Sequence, residues 1–231
     1  MKLKSFGCSF VYGSDLEDCP HGVNEKNPPP SNLTWPALLA KKYDLEYQCY
    51  ARPAAGNLQI LETLLSSDFT CDKNLHVINW TWIDRFNYIS DNVKSGIHPW
   101  NPRGWVSILP SGNDPISIIY YQQIHSQFRD KLETLICIKT AIDTLMQNEQ
   151  QFLMTYTDEL IWETKWHTSP AIESLQKYVR SYVTGFANKG FIEWTRSKKF
   201  NISDKGHPLE HAHQVAADLM MPRIDAILHK A

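Results

Sequence analysis

The sequence has few of the features that mark nucleic-acid-binding or membrane proteins. Its 23 basic and 25 acidic residues give a formal net charge of −2. Because this leaves no basic excess for a phosphate backbone, we expect no nucleic-acid partner. No segment approaches the roughly 20 apolar residues that a membrane-spanning helix needs. The N-terminus lacks the apolar segment of a secretory signal, so we expect a cytoplasmic protein without a membrane span.

Cysteine usage and glycine spacing exclude further classes. The five cysteines, at positions 8, 19, 49, 71 and 137, form no CxxC pair and are odd in number. This pattern indicates reduced thiols and no metal site. A glycine-rich phosphate loop and a Walker-type lysine are also lacking, which argues against a nucleotide-binding protein.

Apolar runs of strand length alternate with helical patterns, which is typical of a parallel sheet covered on both faces. With 231 residues, 42% of them hydrophobic, the chain can build one core, so we expect a single domain over residues 1–231. Helices are predicted at 35–42 and 58–65. The predicted fold is a three-layer α/β/α sandwich with about five mainly parallel strands. The candidate strands are residues 3–6, 46–50, 75–80, 151–156 and 191–194.

Two segments lack clear periodicity. Residues 24–32 are rich in proline and predict a surface loop. This loop could overhang Ser9, which follows the first predicted strand. Residues 86–112 contain His98, Trp100 and Trp105 among several prolines and glycines, and predict an ordered loop insertion. After it, a single long helix is predicted around 116–150, followed by helices within 169–185 and 208–230.

The first apolar run stops at Gly7, and Ser9 follows in "FGCSF". Ligands of open parallel sheets bind at the carboxyl ends of the strands, so Ser9 would lie at such a site. The alternative is that Ser9 only caps the next helix, which serine does well.

A second candidate element lies near the C-terminus, in "DKGHP" at residues 204–208. Asp204 can fix the tautomer and orientation of the His207 ring, and the other ring nitrogen can then take a proton from a serine. The structural alternative makes Asp204 a helix cap and His207 a surface histidine.

Together, "GCS" at residues 7–9 and "DKGHP" resemble the SGNH, or GDSL-type, hydrolase superfamily. There the nucleophilic serine follows the first strand in a Gly-Asp-Ser block, and a late Asp-x-x-His completes the triad. The resemblance implies a flavodoxin-like fold and a serine ester hydrolase that forms an acyl-enzyme without a metal or organic cofactor. It implies Ser9 as nucleophile, His207 as base and Asp204 as its orienting carboxylate, and it favours His207 over His211 and His213.

The middle blocks of the family match less well. In "ARPAAGN", residues 51–57, Gly56 is the candidate for the family's oxyanion-binding amide, with Asn57 contributing its side chain. Counting back from the apolar Ile60 places the amide at Ala54 instead. The structural alternative is a plain strand-to-helix turn capped by Asn57. In "NWTW", residues 79–82, Thr81 stands where the family has asparagine, and its hydroxyl can donate one hydrogen bond.

The substrate is predicted only as a small-molecule or carbohydrate ester. Tryptophans at positions 80, 82, 100 and 105 surround the predicted edge, and their rings could stack on sugars, which predicts a carbohydrate O-acetyl esterase. The alternative is that most of them pack in the core. Arg52, Asp84 and Arg85 could bind a polar or anionic substrate or form ordinary salt bridges. An acyltransferase with the same triad, or a non-catalytic binding protein on this scaffold, also fits, and the oligomeric state is not predicted.

Overall fold

The computed structural model describes residues 1–19, 29–69, 73–89 and 104–229. Most of the proline-rich segment 24–32 lies outside these residues, so its predicted position near Ser9 stays a prediction. The strands are β1 (Lys2–Phe6), β2 (Glu46–Cys49), β3 (Leu75–Trp80), β4 (Phe86–Ile89), β5 (Trp105–Ile108) and β6 (Gln151–Tyr156). The α-helices are α1 (Ser9–Tyr12), α2 (Trp35–Lys42), α3 (Asn57–Leu65), α4 (Pro115–Ile119), α5 (Gln127–Gln147), α6 (Pro170–Val179), α7 (Phe191–Ser197) and α8 (Glu210–Leu228).

A four-stranded parallel sheet in the order β2-β1-β3-β6 forms the centre of the fold. Leu3 of β1 is in register with Tyr47 on one side and with Leu75 on the other. At the opposite end of the sheet, Trp80 of β3 is in register with Tyr156 of β6. Because all four strands run the same way, their carboxyl ends meet at one edge, where ligand sites of such sheets lie.

Helices cover both faces of the sheet. Val77 and Leu153 pack on one face against α2, α7 and α8, whereas Ile78 and Met154 pack on the other face against α3, α5 and α6. Successive strand residues point to opposite faces, and both faces are apolar, as expected for a parallel sheet buried between helices. The predicted three-layer α/β/α fold is confirmed.

The predicted fifth strand, residues 191–194, is wrong: these residues begin helix α7. A short apolar run does not by itself distinguish a strand from a buried helix. Here Phe191, Trp194 and Thr195 are buried at helical spacing, and the Trp194 amide donates to the carbonyl of Gly190 at 2.9 Å. Beside β6, Val183 forms only an isolated parallel bridge with Met154.

The segment predicted as a loop insertion contains a hairpin, because β4 and β5 pair antiparallel with Phe86 opposite Ile108. Residues 90–103, including His98 and Trp100, lie outside the described residues. The predicted single helix at 116–150 is divided: α4 passes into a π-helical turn at Tyr120–Ile124, and α5 starts afresh. His125 is extended, and the Ser126 hydroxyl caps α5 by accepting the Arg129 amide at 3.3 Å.

In the parts of the chain that the structure covers, no helix is both long and apolar enough to cross a membrane.

Candidate active site

Ser9 lies at the carboxyl edge of the sheet, immediately after β1. A Cβ atom at Gly7 would come within 2.6 Å of Val11 Cγ2, so only glycine permits the tight turn from β1 into α1. Cys8, which is buried, is the N-cap residue of α1, and Ser9 is its first helical residue. The alternative in which Ser9 serves as the helix cap is therefore wrong, and its side chain, 5% exposed, is not needed for capping.

The loops after β2 and β3 lie on either side of this turn. The Arg52 amide donates to the carbonyl of Gly7 at 3.0 Å. On the other side, the carbonyl oxygen of Asn79 is 3.1 Å from the position of a Cβ at Gly7. Both contacts follow from the strand order, in which β1 lies between β2 and β3. The segments that contain Ser9, Ala54 and Thr81 are thus brought to one edge.

His207 comes to the same edge from the segment before α8. Its ring packs edge-on against Phe10, with centroids 5.8 Å apart, and its Nδ1 is 2.7 Å from Asp15 Oδ2. The imidazole therefore faces the helix that Ser9 begins. In the described part of the chain, however, no hydrogen bond joins Ser9 Oγ to the His207 ring.

Asp15 is the carboxylate of this histidine, and sequence reasoning missed it. Helix α1 ends after one turn at Gly13, whose φ is 87°, and the chain turns back through Asp15 at φ 71°, a region that aspartate tolerates. Burial raises the pKa of Asp15, but hydrogen bonds from His207 and Ser203 and the nearby positive charges outweigh it, so the pKa lies below its usual value. The Ser203 hydroxyl donates to Asp15 Oδ2 at 2.7 Å, which fixes the carboxylate.

The expectation that Asp204 contacts the His207 ring is corrected by the structure. Residues 203–207 form a tight turn, in which the Ser203 amide donates to the His207 carbonyl at 2.8 Å. The His207 amide in turn donates to the Ser203 hydroxyl at 3.1 Å. Gly206 has a φ of 87°, and Asp204 lies exposed on the turn. Asp15, and not Asp204, therefore bonds the ring that Asp204 was predicted to orient.

The other two histidines of this segment have different surroundings. His213 is fully buried, its Nδ1 accepts the Trp35 amide at 3.1 Å, and burial lowers its pKa to about 3. His211 is exposed and packs edge-on against Phe200. Neither ring is hydrogen-bonded to a carboxylate within the described residues, which agrees with the preference for His207.

Asn57 holds the site together through its side chain. Its Oδ1 accepts the Thr81 amide at 2.9 Å, while its Nδ2 donates to the Thr81 carbonyl at 3.3 Å and to Thr134 Oγ1 at 3.0 Å. Both ends of the amide are engaged, so Asn57 positions Thr81. Gly56 is the N-cap of α3 and is packed closely, because a Cβ there would be 1.9 Å from Asn87 Oδ1. Ala54, in contrast, is partly exposed and has a left-handed φ of 62°.

Thr81 follows β3 at the position where the resemblance implied an asparagine. It is 1% exposed, and within the described residues its hydroxyl has no hydrogen-bond partner. Burying a hydroxyl without a hydrogen-bond partner destabilises the folded protein, and a bound ligand that accepts its hydrogen bond removes this cost.

The tryptophans predicted to surround the site are divided between core and surface. Trp80 is fully buried, whereas Trp82 is partly exposed and lies 5.1 Å from the Phe10 ring, centroid to centroid. Trp105 Nε1 donates to Glu62 Oε2 at 3.4 Å. Of these rings, that of Trp82 contacts the segment that carries Ser9, through Phe10.

Among the side chains described, no group of three or more His, Cys, Asp or Glu residues could hold a metal ion. A groove of about 770 Å³ runs along β6 and is lined by Tyr156, Trp162, Arg180 and Arg223, among others. It does not include Ser9 or His207, so we place the candidate site by its side-chain chemistry.

No protein-family model matches the sequence, and no curated protein does either. Solved structures do. One is a carbohydrate esterase with "divergent catalytic and non-catalytic binding functions" (TM-score 0.56, 13% identity, covering 97% of this chain and 64% of that one). A family two carbohydrate esterase from Clostridium thermocellum in complex with cellohexaose gives 0.53 and 15%, with coverage of 99% and 64%. The esterase EstA from a Pseudoalteromonas species, inhibited by monoethylphosphonate, gives 0.53 and 9%, with coverage of 99% and 98%.

The chain has the fold of these esterases, which is the fold that the resemblance to SGNH hydrolases implied. The predicted resemblance is confirmed at this level, over nearly the whole chain. The chain spans about two thirds of the length of the carbohydrate esterases that it matches. At identities of 9 to 15%, the likeness establishes the fold, and the chemistry must be argued from the side chains.

Proposed function

We propose that this protein is a serine ester hydrolase in which Ser9 is the nucleophile, His207 the general base and Asp15 the carboxylate that orients His207. The observation that carries the proposal is the 2.7 Å contact between His207 Nδ1 and Asp15, on a ring packed against the residue after Ser9. A neutral ring that donates from Nδ1 to a carboxylate has its lone pair on Nε2, which is the nitrogen a serine base uses.

The reaction proceeds in two halves. Ser9 Oγ attacks the ester carbonyl carbon while its proton passes to His207 Nε2, and the resulting tetrahedral oxyanion collapses to a Ser9 ester as the alcohol leaves with that proton. Water then attacks the acyl-enzyme, losing a proton to His207 Nε2. Collapse of this second intermediate returns the proton to Ser9 and releases the acid. Asp15 remains ionised throughout and stabilises the imidazolium.

The oxyanion requires hydrogen-bond donors on the other side of the carbonyl. We assign the backbone amides of Ser9 and Ala54 and the hydroxyl of Thr81. The Ser9 amide is in the first turn of α1, where amides have no intrahelical acceptor. Ala54 is preferred to Gly56 because Gly56 is packed beneath Asn87. Asn57, which was expected to donate directly, acts by holding the main chain of Thr81.

A carbohydrate O-acetyl ester is the substrate class we propose for testing. The proposal is supported by the partly exposed Trp82 beside Phe10 and by the structurally similar carbohydrate esterase that was solved with cellohexaose. An aromatic face at this position can pack against the apolar face of a sugar ring.

The test is covalent labelling of Ser9 by a fluorophosphonate, read by intact mass, together with release of acetate from acetylated sugars and 4-nitrophenyl acetate. We expect labelling and hydrolysis by the native protein and neither by Ser9→Ala. Ser14→Ala is the matched control, since Ser14 is a buried serine five residues further on whose hydroxyl has no partner among the described residues. It should be labelled like the native protein.

A non-catalytic binding protein is the second candidate. It is favoured by one observation, the lack of a hydrogen bond between Ser9 and His207 in the described part of the chain. Hydrogen bonds of catalytic groups often tighten only when substrate is bound, so an esterase without substrate can also lack this bond. Binding of acetylated sugars without labelling or acetate release would replace the esterase proposal by this one.

A further inference from the structure

A guanidinium group lies beside the candidate active site with much of its hydrogen-bonding capacity unused. Arg85 Cζ is 4.4 Å from the centroid of the Trp82 ring, and Nη1 donates to the carbonyl of Ala55 at 3.3 Å. Arginine has five N–H donors in one plane, and these contacts occupy one donor and one face. Because the side chain is only partly buried, its other donors are accessible to a ligand.

Within the described residues, Arg85 forms no ion pair. Arg129, by comparison, contacts the Asp130 carboxylate at 2.6 Å. The nearest acidic residue in sequence is Asp84. Burial and then the charge of Asp158 raise the pKa of Asp84 above its usual value, and the charge of Arg85 offsets part of this rise. Asp84 therefore acts on Arg85 through space without pairing with it. A guanidinium group to which no described carboxylate is hydrogen-bonded has donors available for charge-assisted hydrogen bonds to an anionic ligand.

The guanidinium group is held by both walls of the proposed site. Trp82, on which it stacks, is 5.1 Å from the Phe10 ring, and Phe10 follows Ser9. Ala55, to which it donates, follows Ala54, the proposed oxyanion donor. A substrate whose carbonyl lies between Ser9 and Ala54 would thus place a group several bonds away within reach of Arg85.

We propose that Arg85, held by Trp82 and Ala55, forms an anion subsite that selects esters carrying a carboxylate, phosphate or sulfate group several bonds from the carbonyl that is attacked. The inference rests on the proposed esterase function and names its substrate class. Stacking on Trp82 fixes the guanidinium plane, so little side-chain entropy is lost when an anion binds two of its donors. The anion belongs either to the acyl group or to the alcohol.

The experiment compares kcat/KM for matched esters. The acyl-side pair is 4-nitrophenyl hemiglutarate and 4-nitrophenyl valerate, and the alcohol-side pair is 4-acetoxybenzoate and its methyl ester. The native protein should prefer the anionic member of at least one pair. Arg85→Gln should lower that anionic-to-neutral ratio about 10- to 100-fold, the range for a lost hydrogen bond to a charged group, and Arg85→Lys should lower it less.

The control is Arg196→Gln, which removes the same charge from the exposed last turn of α7 and should leave the ratio unchanged. The subsite is overturned if the native protein prefers neither anion, or if Arg85→Gln lowers both members of a pair equally, which would indicate a structural role through Ala55.

If the esterase proposal itself is wrong, the native protein turns over neither neutral nor anionic esters. This outcome differs from failure of the subsite, in which neutral esters are still hydrolysed. Calorimetric titration with glutarate and with 4-hydroxybenzoate reads the subsite without turnover. The subsite is supported if the native protein binds either anion and Arg85→Gln binds that anion at least tenfold more weakly. It is overturned if the native protein binds neither anion, or if the two proteins bind it equally well.

Discussion

Two histidines six residues apart in the C-terminal segment have opposite surroundings. His207 has 14% of its side chain exposed and pairs with the Asp15 carboxylate. His213 is 1% exposed, and its hydrogen bonds go to the main chain of Trp35 and Pro208. A carboxylate stabilises the protonated ring, whereas a dry cavity lined by main-chain groups keeps the ring neutral. The role of each imidazole therefore depends on its partner, although both are in the same short motif "HPLEHAH".

Two threonines near the ends of neighbouring strands show the same contrast. Thr155 Oγ1 donates to Asn79 Oδ1 at 2.8 Å in the interior of the sheet. Thr81, past the end of β3, is as deeply buried, yet in the described part of the chain its hydroxyl has no partner. Unused hydrogen-bonding capacity is thus found at the carboxyl edge, and the same chemical group is satisfied one strand away. Substitutions in the two regions should separate activity from stability.

The largest expected effect is at the edge. Ser9→Ala and His207→Ala should each reduce ester hydrolysis by about 10⁴-fold or more, and the double variant should lose little more, because groups that act in one step are not additive. His213→Asn should leave kcat within a few-fold and instead lower the free energy of unfolding by about 1–3 kcal/mol, through the disturbed bond to Trp35. Steady-state kinetics and urea unfolding measure the two effects. A large loss of kcat in folded His213→Asn would contradict the division.

The next effect distinguishes the two aspartates. Asp15→Asn should lower kcat about 10³- to 10⁴-fold with KM nearly unchanged, because the ring loses the partner that fixes its tautomer and stabilises its charge. Asp204→Asn, an equal change on the exposed part of the same turn, should alter kcat by less than about twofold, as for most surface substitutions. Fluorophosphonate labelling of Ser9 should slow in parallel with kcat. If Asp204→Asn is the more damaging change, Asp204 orients His207 as the sequence resemblance implied, and Asp15 has only a structural role.

The difference between these aspartates also shows what the sequence can predict. Strands such as β3 were predictable because runs such as Leu75–Trp80 are mostly apolar, and Ser9 because Gly7 ends such a run. The Asp-x-x-His motif predicted His207 but the wrong carboxylate, since a spacing of three residues does not specify which side chains a turn directs outward. Asp15 follows the glycine that stops α1, yet its contact with His207 spans 192 positions and depends on the packing of both ends of the chain.

Helix α7 was missed for a related reason. The run Phe191–Trp194 is short and largely apolar, and such a run does not distinguish a strand from a buried helix. In the structure the position beside β6 is taken by Val183, which forms an isolated bridge with Met154. The prediction of the oxyanion-binding amide depended on how closely the loop after β2 packs, which the sequence does not show. Gly56 was predicted because it lies where the family has its oxyanion-binding glycine, whereas in the structure Gly56 is packed closely against Asn87. Tertiary packing determined both outcomes.

A smaller effect should separate the two threonines. Thr81→Val should lower kcat about 100-fold if its hydroxyl binds the oxyanion, with little change in KM or in stability, because no described protein group loses a partner. Thr155→Val should do the reverse, costing about 1–2 kcal/mol of stability through Asn79 while kcat stays near native. Thermal unfolding and saturation kinetics on 4-nitrophenyl acetate give both readings. Equal kcat for Thr81→Val and the native protein would remove Thr81 from the oxyanion site.

The smallest effect concerns the pH dependence of stability. Burial lowers the pKa of His213 from 6.5 to about 3 in the folded protein. Between these values the unfolded chain binds a proton that the native state does not, so stability falls as the pH falls from about 6.5 towards 3, by up to about 1.4 kcal/mol per pH unit. His213→Asn lacks this group, and His76 and the carboxylates contribute equally to both proteins. The stability advantage of the native protein over His213→Asn should therefore shrink on acidification, as measured by urea unfolding at pH 7, 6 and 5. Parallel pH profiles for the two proteins would show that His213 titrates normally and that the two histidines are less different than their surroundings indicate.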